Sequence, residues 1–103
     1  LYVKSSTSSI VSLTGIEGAP VTVGTSAVEM TFTGTTKSLF IQADHSNTGT
    51  IWVGPSTVDN AGANAFARLE AGEYINIDFD DSSTAIYSVS DTASQKVYKV
   101  ALT

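Results

Sequence analysis

The chain has 103 residues, of which 42% are hydrophobic and only 15% charged, with a formal net charge of −5. That length supports one domain with one core and not two, and the composition excludes a chain disordered throughout. The acidic balance, with Lys4, Lys37, Arg68, Lys96 and Lys99 scattered along the chain, excludes binding driven by nucleic-acid phosphates.

There is no cysteine, so neither a disulfide framework nor a thiolate metal site is available and stability must come from packing. No window approaches the roughly 18 consecutive apolar residues of a membrane span, and no charged-then-apolar leader precedes the first strands. A soluble protein with no membrane partner is expected. Its polar surface must be built mostly from Ser, Thr, Asn and Gly, which suits sheet faces and surfaces that another protein covers.

Residues 1–25 read as an extended N-terminal arm. Lys4-Ser5-Ser6-Thr7-Ser8-Ser9 is a polar low-complexity run, and short apolar pieces around it are separated by Gly15, Gly18 and Pro20. Burying the large apolar side chains of this stretch returns less than the conformational entropy of ordering it. The arm therefore needs backbone pairing as well, either onto its own sheet or onto a partner. In the second case Tyr2, Val3, Ile10, Val11 and Leu13 are the anchors expected to bind the partner.

From residue 26 the strands become regular, and residues 26–103 form the expected domain. Val28, Met30 and Phe32 alternate with Glu29, Thr31 and Thr33, and Gly34-Thr35-Thr36-Lys37 reads as a turn into Ser38-Leu39-Phe40-Ile41-Gln42-Ala43, which predicts a hairpin. Asp44-His45-Ser46-Asn47-Thr48-Gly49 is a second turn. It leads into the short strand Ile51-Trp52-Val53-Gly54, followed by a small-residue loop over 55–67 in which one helical turn is allowed within 60–67. Leu69-Glu70-Ala71-Gly72-Glu73 then turns the chain into a strand with Ile75, Ile77 and Phe79 on one face and Tyr74, Asn76 and Asp78 on the other. Gly72 takes the reversal because it tolerates positive φ. Further strands are predicted over 85–90 and 96–102, with Tyr98, Val100 and Leu102 opposite Val97, Lys99 and Ala101. Strands at about ten-residue spacing without a convincing helix predict an all-β fold, a small antiparallel sandwich of jelly-roll type.

No reactive constellation stands out. His45 is the one histidine, in a turn beside Asp44, with no second ligand or matched nucleophile nearby in sequence. Asp78, Asp80 and Asp81 lack the glycine and distal Glu of a calcium loop and read as a solvated acidic turn. Glu70 and Glu73 flank a turn glycine and read as surface charges rather than paired glycosidase carboxylates. Trp52, between Ile51 and Val53, reads as packed across a sandwich or as part of an interface. No enzyme activity and no cofactor are expected.

The order of Leu39-Phe40-Ile41-Gln42-Ala43, Asn47-Thr48-Gly49, Ile51-Trp52-Val53-Gly54, Leu69-Glu70-Ala71-Gly72-Glu73, Ile86-Tyr87-Ser88-Val89 and Lys96-Val97 resembles a β-sandwich module of tailed-phage virion proteins. The likeness spans roughly residues 37–102 and lies in structural turns. It implies a virion structural protein on the outer capsid surface, a decoration or cement protein that binds the major capsid protein and associates with itself, a homotrimer being favoured by the threefold sites of capsid lattices. A tail, baseplate or head-fibre domain is the alternative. A carbohydrate-binding sandwich using Trp52 and Tyr74 is the expectation from another class.

Overall fold

A computed structural model of the chain describes residues 16–31, 38–78 and 85–102. Phe32, Phe79, Asp80, Asp81 and the anchors Tyr2, Val3, Ile10, Val11 and Leu13 lie outside the described residues.

The described chain is all-β, with eight strands and no helix: β1 (Ile16–Val23), β2 (Val28–Glu29), β3 (Ser38–Ala43), β4 (Ile51–Gly54), β5 (Ala67–Leu69), β6 (Tyr74–Asp78), β7 (Tyr87–Ser90) and β8 (Gln95–Leu102). They form two four-stranded antiparallel sheets, ordered β1-β8-β3-β6 and β2-β7-β4-β5. The pairs β1·β8, β2·β7, β3·β6 and β4·β5 are those of one long hairpin with its bend between β4 and β5. Rolling that hairpin sends successive pairs to alternate sheets, which is the jelly-roll winding.

The roll corrects the local hairpin expected from β2 to β3. β2 pairs with β7 in the second sheet, while β3 lies between β8 and β6 in the first. Period-2 alternation tells which face a residue takes and not which strand it pairs with. The second half of the expected arm is also placed: β1 pairs with β8 along its whole length, from Ile16 opposite Leu102 to Val23 opposite Gln95. For these residues the partner is the chain's own sheet. No helical turn forms over 60–67; Asp59 instead accepts the amides of Ala61 and Ala63 at 3.0 and 2.9 Å, holding a pair of tight turns.

The core lies between the sheets. Val23, Leu39, Ile41, Ala43, Val97 and Ala101 from the first sheet meet Ile51, Val53 and Leu69 from the second, with Met30 and Ile86 closing one side. Ile75 and Ile77 pack against this cluster half-buried, while Tyr74, Asn76 and Asp78 are exposed, as the alternation of β6 predicts. Lys99 shares the inward face of β8 with Val97 and Ala101. Its ammonium reaches past the end of β2 to the carbonyl and hydroxyl oxygens of Thr31, so the apolar stem stays between the sheets and the charge leaves at the side. Desolvation pushes the Lys99 pKa down, and the Glu17 carboxylate partly offsets that.

Candidate interaction face

One end of the sandwich is built by the motifs of the sequence. Asn47 replaces a strand residue with its side chain: its amide nitrogen donates to the Lys96 carbonyl at 2.8 Å and its amide oxygen accepts the Lys96 N–H at 2.9 Å. The side-chain oxygen Oε1 of the buried Gln95 accepts the amides of Thr48 and Gly49 at 2.8 and 2.9 Å, and the Asp91 carboxylate accepts the amide of Thr50 at 3.0 Å. Gly49 is required here by space, since a Cβ would stand 2.3 Å from the Thr92 hydroxyl oxygen.

The turn after β5 closes the same end. Gly72, at φ +84, donates to the Ala43 carbonyl, and Ala43 donates to the carbonyl of Glu73. Glu73 accepts the amide of Glu70 at 2.8 Å, and Glu70 in turn takes the Arg68 Nε at 2.7 Å and the Thr50 hydroxyl. Both glutamates are thus wired into the turn. His45 stands out into solvent, 94% exposed, with Nδ1 3.6 Å from Asp44.

Trp52 is not packed across the sandwich. It points out of the second sheet, beside Val89 and Arg68 on the neighbouring strands, and loop 55–66 crosses over it. A Cβ on Gly62 would come within 3.0 Å of the indole ring, so only glycine lets the backbone lie on it; the Arg68 guanidinium carbon is 5.7 Å from the ring centroid. The indole N–H is buried with no hydrogen-bond partner among the described residues. Covered by its own loop, this ring does not form an open platform.

The outer face of the first sheet is open. Its rows run Pro20, Tyr98, Gln42, Tyr74; Gly18, Val100, Phe40, Asn76; and Ile16, Leu102, Ser38, Asp78. Ile16 is 74%, Tyr74 63% and Tyr98 40% exposed, and the Phe40 and Tyr74 rings contact each other with centroids 5.0 Å apart. Among the described residues of this face the charges lie at its two ends, Lys96 and the Asp44 carboxylate at one and Asp78 at the other. An uncharged centre of aromatic and aliphatic side chains on an open sheet face is the surface expected of a protein contact rather than of a solvated exterior. Sequence periodicity assigned the side chains of β6 and β8 to faces, but nothing local showed that β1 and β3 would align with them.

Tyr98 is held in place. Its hydroxyl donates to Asp44 at 2.7 Å, and the same carboxylate accepts the Ser46 amide at 2.8 Å and the Ser46 hydroxyl at 2.7 Å. The Ser46 amide, with the Tyr98 and Ser46 hydroxyls, keeps the Asp44 carboxyl well below the usual carboxylate range, and Asp44 in turn pushes the Tyr98 hydroxyl up. Among the described residues no group of three or more His, Cys, Asp or Glu side chains is placed to hold a metal ion. Compared with known protein families, curated proteins and solved structures, the chain matches none of them.

Proposed function

We propose that this chain is a non-enzymatic virion structural protein, a decoration protein that seats the outer face of its first sheet on the assembled capsid shell. The observation that carries the reading is that face itself: Ile16, Tyr74, Tyr98, Phe40, Val100 and Leu102 on one surface, with charge only toward its ends. Two further points support it. The motif order resembles that of phage virion modules, and jelly rolls recur in viral capsid and lectin domains, an analogy of fold that carries no function by itself.

The mechanism is linkage. A protein that binds the assembled shell and not its free subunits adds its binding free energy to the stability of the shell. Association of three copies around a lattice threefold raises occupancy through effective concentration. The arm residues Tyr2, Val3, Ile10, Val11 and Leu13 supply a second contact, because residues 1–15 join the sheet at Ile16, on the corner of the docking face.

The test is co-sedimentation with undecorated capsid shells assembled from a tailed-phage major capsid protein. Wild type should bind with weak salt dependence, because the contact carries little charge. Ile16→Glu and Val100→Glu should each abolish binding while leaving the melting curve nearly unchanged. Unaltered binding by both variants would remove this face from the account, and binding lost at moderate salt would point to a charge-driven contact.

A further inference from the structure

An edge strand turns a row of unpaired amides and carbonyls to solvent, and three of the four edges of this sandwich are blunted. β2 and β5 are only two and three residues long. On β1 the block is Pro20. Lys96 spends its amide and carbonyl on Asn47, on the β3 side of β8, and Tyr98 turns the same way two residues on; Pro20, opposite Tyr98, therefore faces the open edge with no N–H to give. β6 has none of these devices. Its five residues, Tyr74–Asp78, include no proline, lysine or glycine, and among the described strands they pair with β3 alone. We propose that this edge pairs with the same edge of a second copy, antiparallel, with Asn76 opposite the partner's Asn76.

The direction of the free groups follows from the ladder. Ala43 donates to the Glu73 carbonyl at 2.9 Å, so the next closely bonded pairs are Ile41 with Ile75 and Leu39 with Ile77. Tyr74, Asn76 and Asp78 thus point their amides and carbonyls away from β3. The Ser38 hydroxyl lies 3.0 Å from both Asn76 Oδ1 and Asp78 Oδ1, which holds these two side chains on the outer face and off the backbone edge. In the proposed register every outward amide and carbonyl of β6 gains a backbone partner.

The side chains select that register. Ile75 falls opposite the partner's Ile77, and the reverse, in the non-bonded pairs where cross-strand side chains come closest. Both isoleucines are half-buried in the single copy, because β5, across from them, is so short. The contact covers them. Asp78 falls opposite the partner's Tyr74 and meets no carboxylate. Sliding the strands one way brings the two Asp78 side chains together, and sliding them the other way leaves Ile77 and Asp78 unpaired. Opposed residues of an antiparallel pair point to the same side, so both outer faces of the dimer look the same way and stay free for a shell. A pair of five-residue strands buries far less than the roughly 1,200 Å² of a stable interface, which places the dissociation constant at about 0.1–1 mM.

The experiment is a sedimentation and amide hydrogen-exchange series on the full-length protein, without shells, from about 10 μM to 1 mM. Sedimentation should show a monomer–dimer equilibrium. The amides of Tyr74, Asn76 and Asp78 should gain protection as concentration rises, and those of Gly18 and Thr22 on the β1 edge should not. In a mixture of isotope-labelled and unlabelled protein, the Ile75 Hα should show an NMR contact to the Hα of the partner's Ile77. Asn76→Pro removes the central donor with its ring turned to the open edge, and Tyr74→Asp sets carboxylates opposite each other; each should weaken dimerisation about tenfold or more. Tyr74→Asp should leave the melting curve of dilute protein nearly unchanged. The proposal is overturned if the protein stays monomeric throughout, if the three amides are protected to the same degree at every concentration, if Tyr74→Asp dimerises as wild type does, or if the contacts between copies run from β6 to residues 1–15.

Discussion

Ser88 and Ser90 both face the core from β7 and are both fully buried, yet their hydroxyls act on stability with opposite sign. Ser90 donates to the Thr50 carbonyl at 2.8 Å and accepts the Thr92 amide at 3.1 Å, so Ser90→Ala should cost about 1–2 kcal/mol by leaving buried groups unpaired. The Ser88 hydroxyl has no partner among the described residues, and Ser88→Ala should be neutral or stabilising by up to about 1 kcal/mol. Urea unfolding of the two variants reads the difference, and equal losses would contradict the hydrogen-bond assignment. Glycines divide in the same way. Gly49→Ala drives a methyl into Thr92 and Asp91 and should cost about 1–3 kcal/mol, whereas a Cβ at Gly24 meets nothing within 4 Å and Gly24→Ala should cost little or stabilise slightly.

Among the elements, the link between loop 44–50 and β8 has a distinct pH signature. Asp44 is held below the usual carboxylate range in the folded state, so its contribution is full above the unfolded value near pH 4 and fades as the pH falls below it. Tyr98 is shifted up by the same bond, so its contribution is full below about pH 10 and is lost as the pH rises through its folded value. Asp44→Asn should therefore flatten both limbs of a stability profile taken from pH 2 to 11, and Tyr98→Phe should remove the alkaline limb and weaken the acid one, because the Tyr98 hydroxyl is one of the groups that hold Asp44 low; a profile identical to wild type would contradict the role given to this bond. How much of this was legible in the sequence depended on range. The alternation of β6 and the reversal at Gly72 are local and could be read directly. β5 was missed because three residues, with Arg68 between Ala67 and Leu69, carry too little periodicity to stand out from a loop. The side chain of Asn47 meets a partner 49 residues away, so its turn was visible and its clasp was not. Periodicity put Lys99 on one face with Val97 and Ala101 without showing that this face is the core, and what makes a lysine tolerable there is Thr31, beyond a different strand. Trp52 looked like a packing or contact residue, and only the placement of Gly62 shows why its ring is covered.

At the scale of the whole molecule, the winding joins the first strand to the last, so few of the sheet contacts are local. A fold dominated by such pairings should refold on the millisecond-to-second scale, without the microsecond phase of a locally organised domain; Trp52, the single tryptophan, reports this in a stopped-flow experiment. The same winding makes the outer face of the first sheet. β1, β8, β3 and β6 come from four distant parts of the chain, and only their registered pairing sets Ile16, Val100, Phe40 and Tyr74 on one surface. The central claim is that this surface meets the capsid shell, and the most direct measurement is a difference map between shells with and without the added protein, at a resolution that orients the sandwich. The account predicts added density with the outer face of the first sheet turned toward the shell and the Trp52 loop turned away. Density that meets the shell through loop 55–66 with the β1-β8-β3-β6 face left in solvent, or no added density at all, would contradict it.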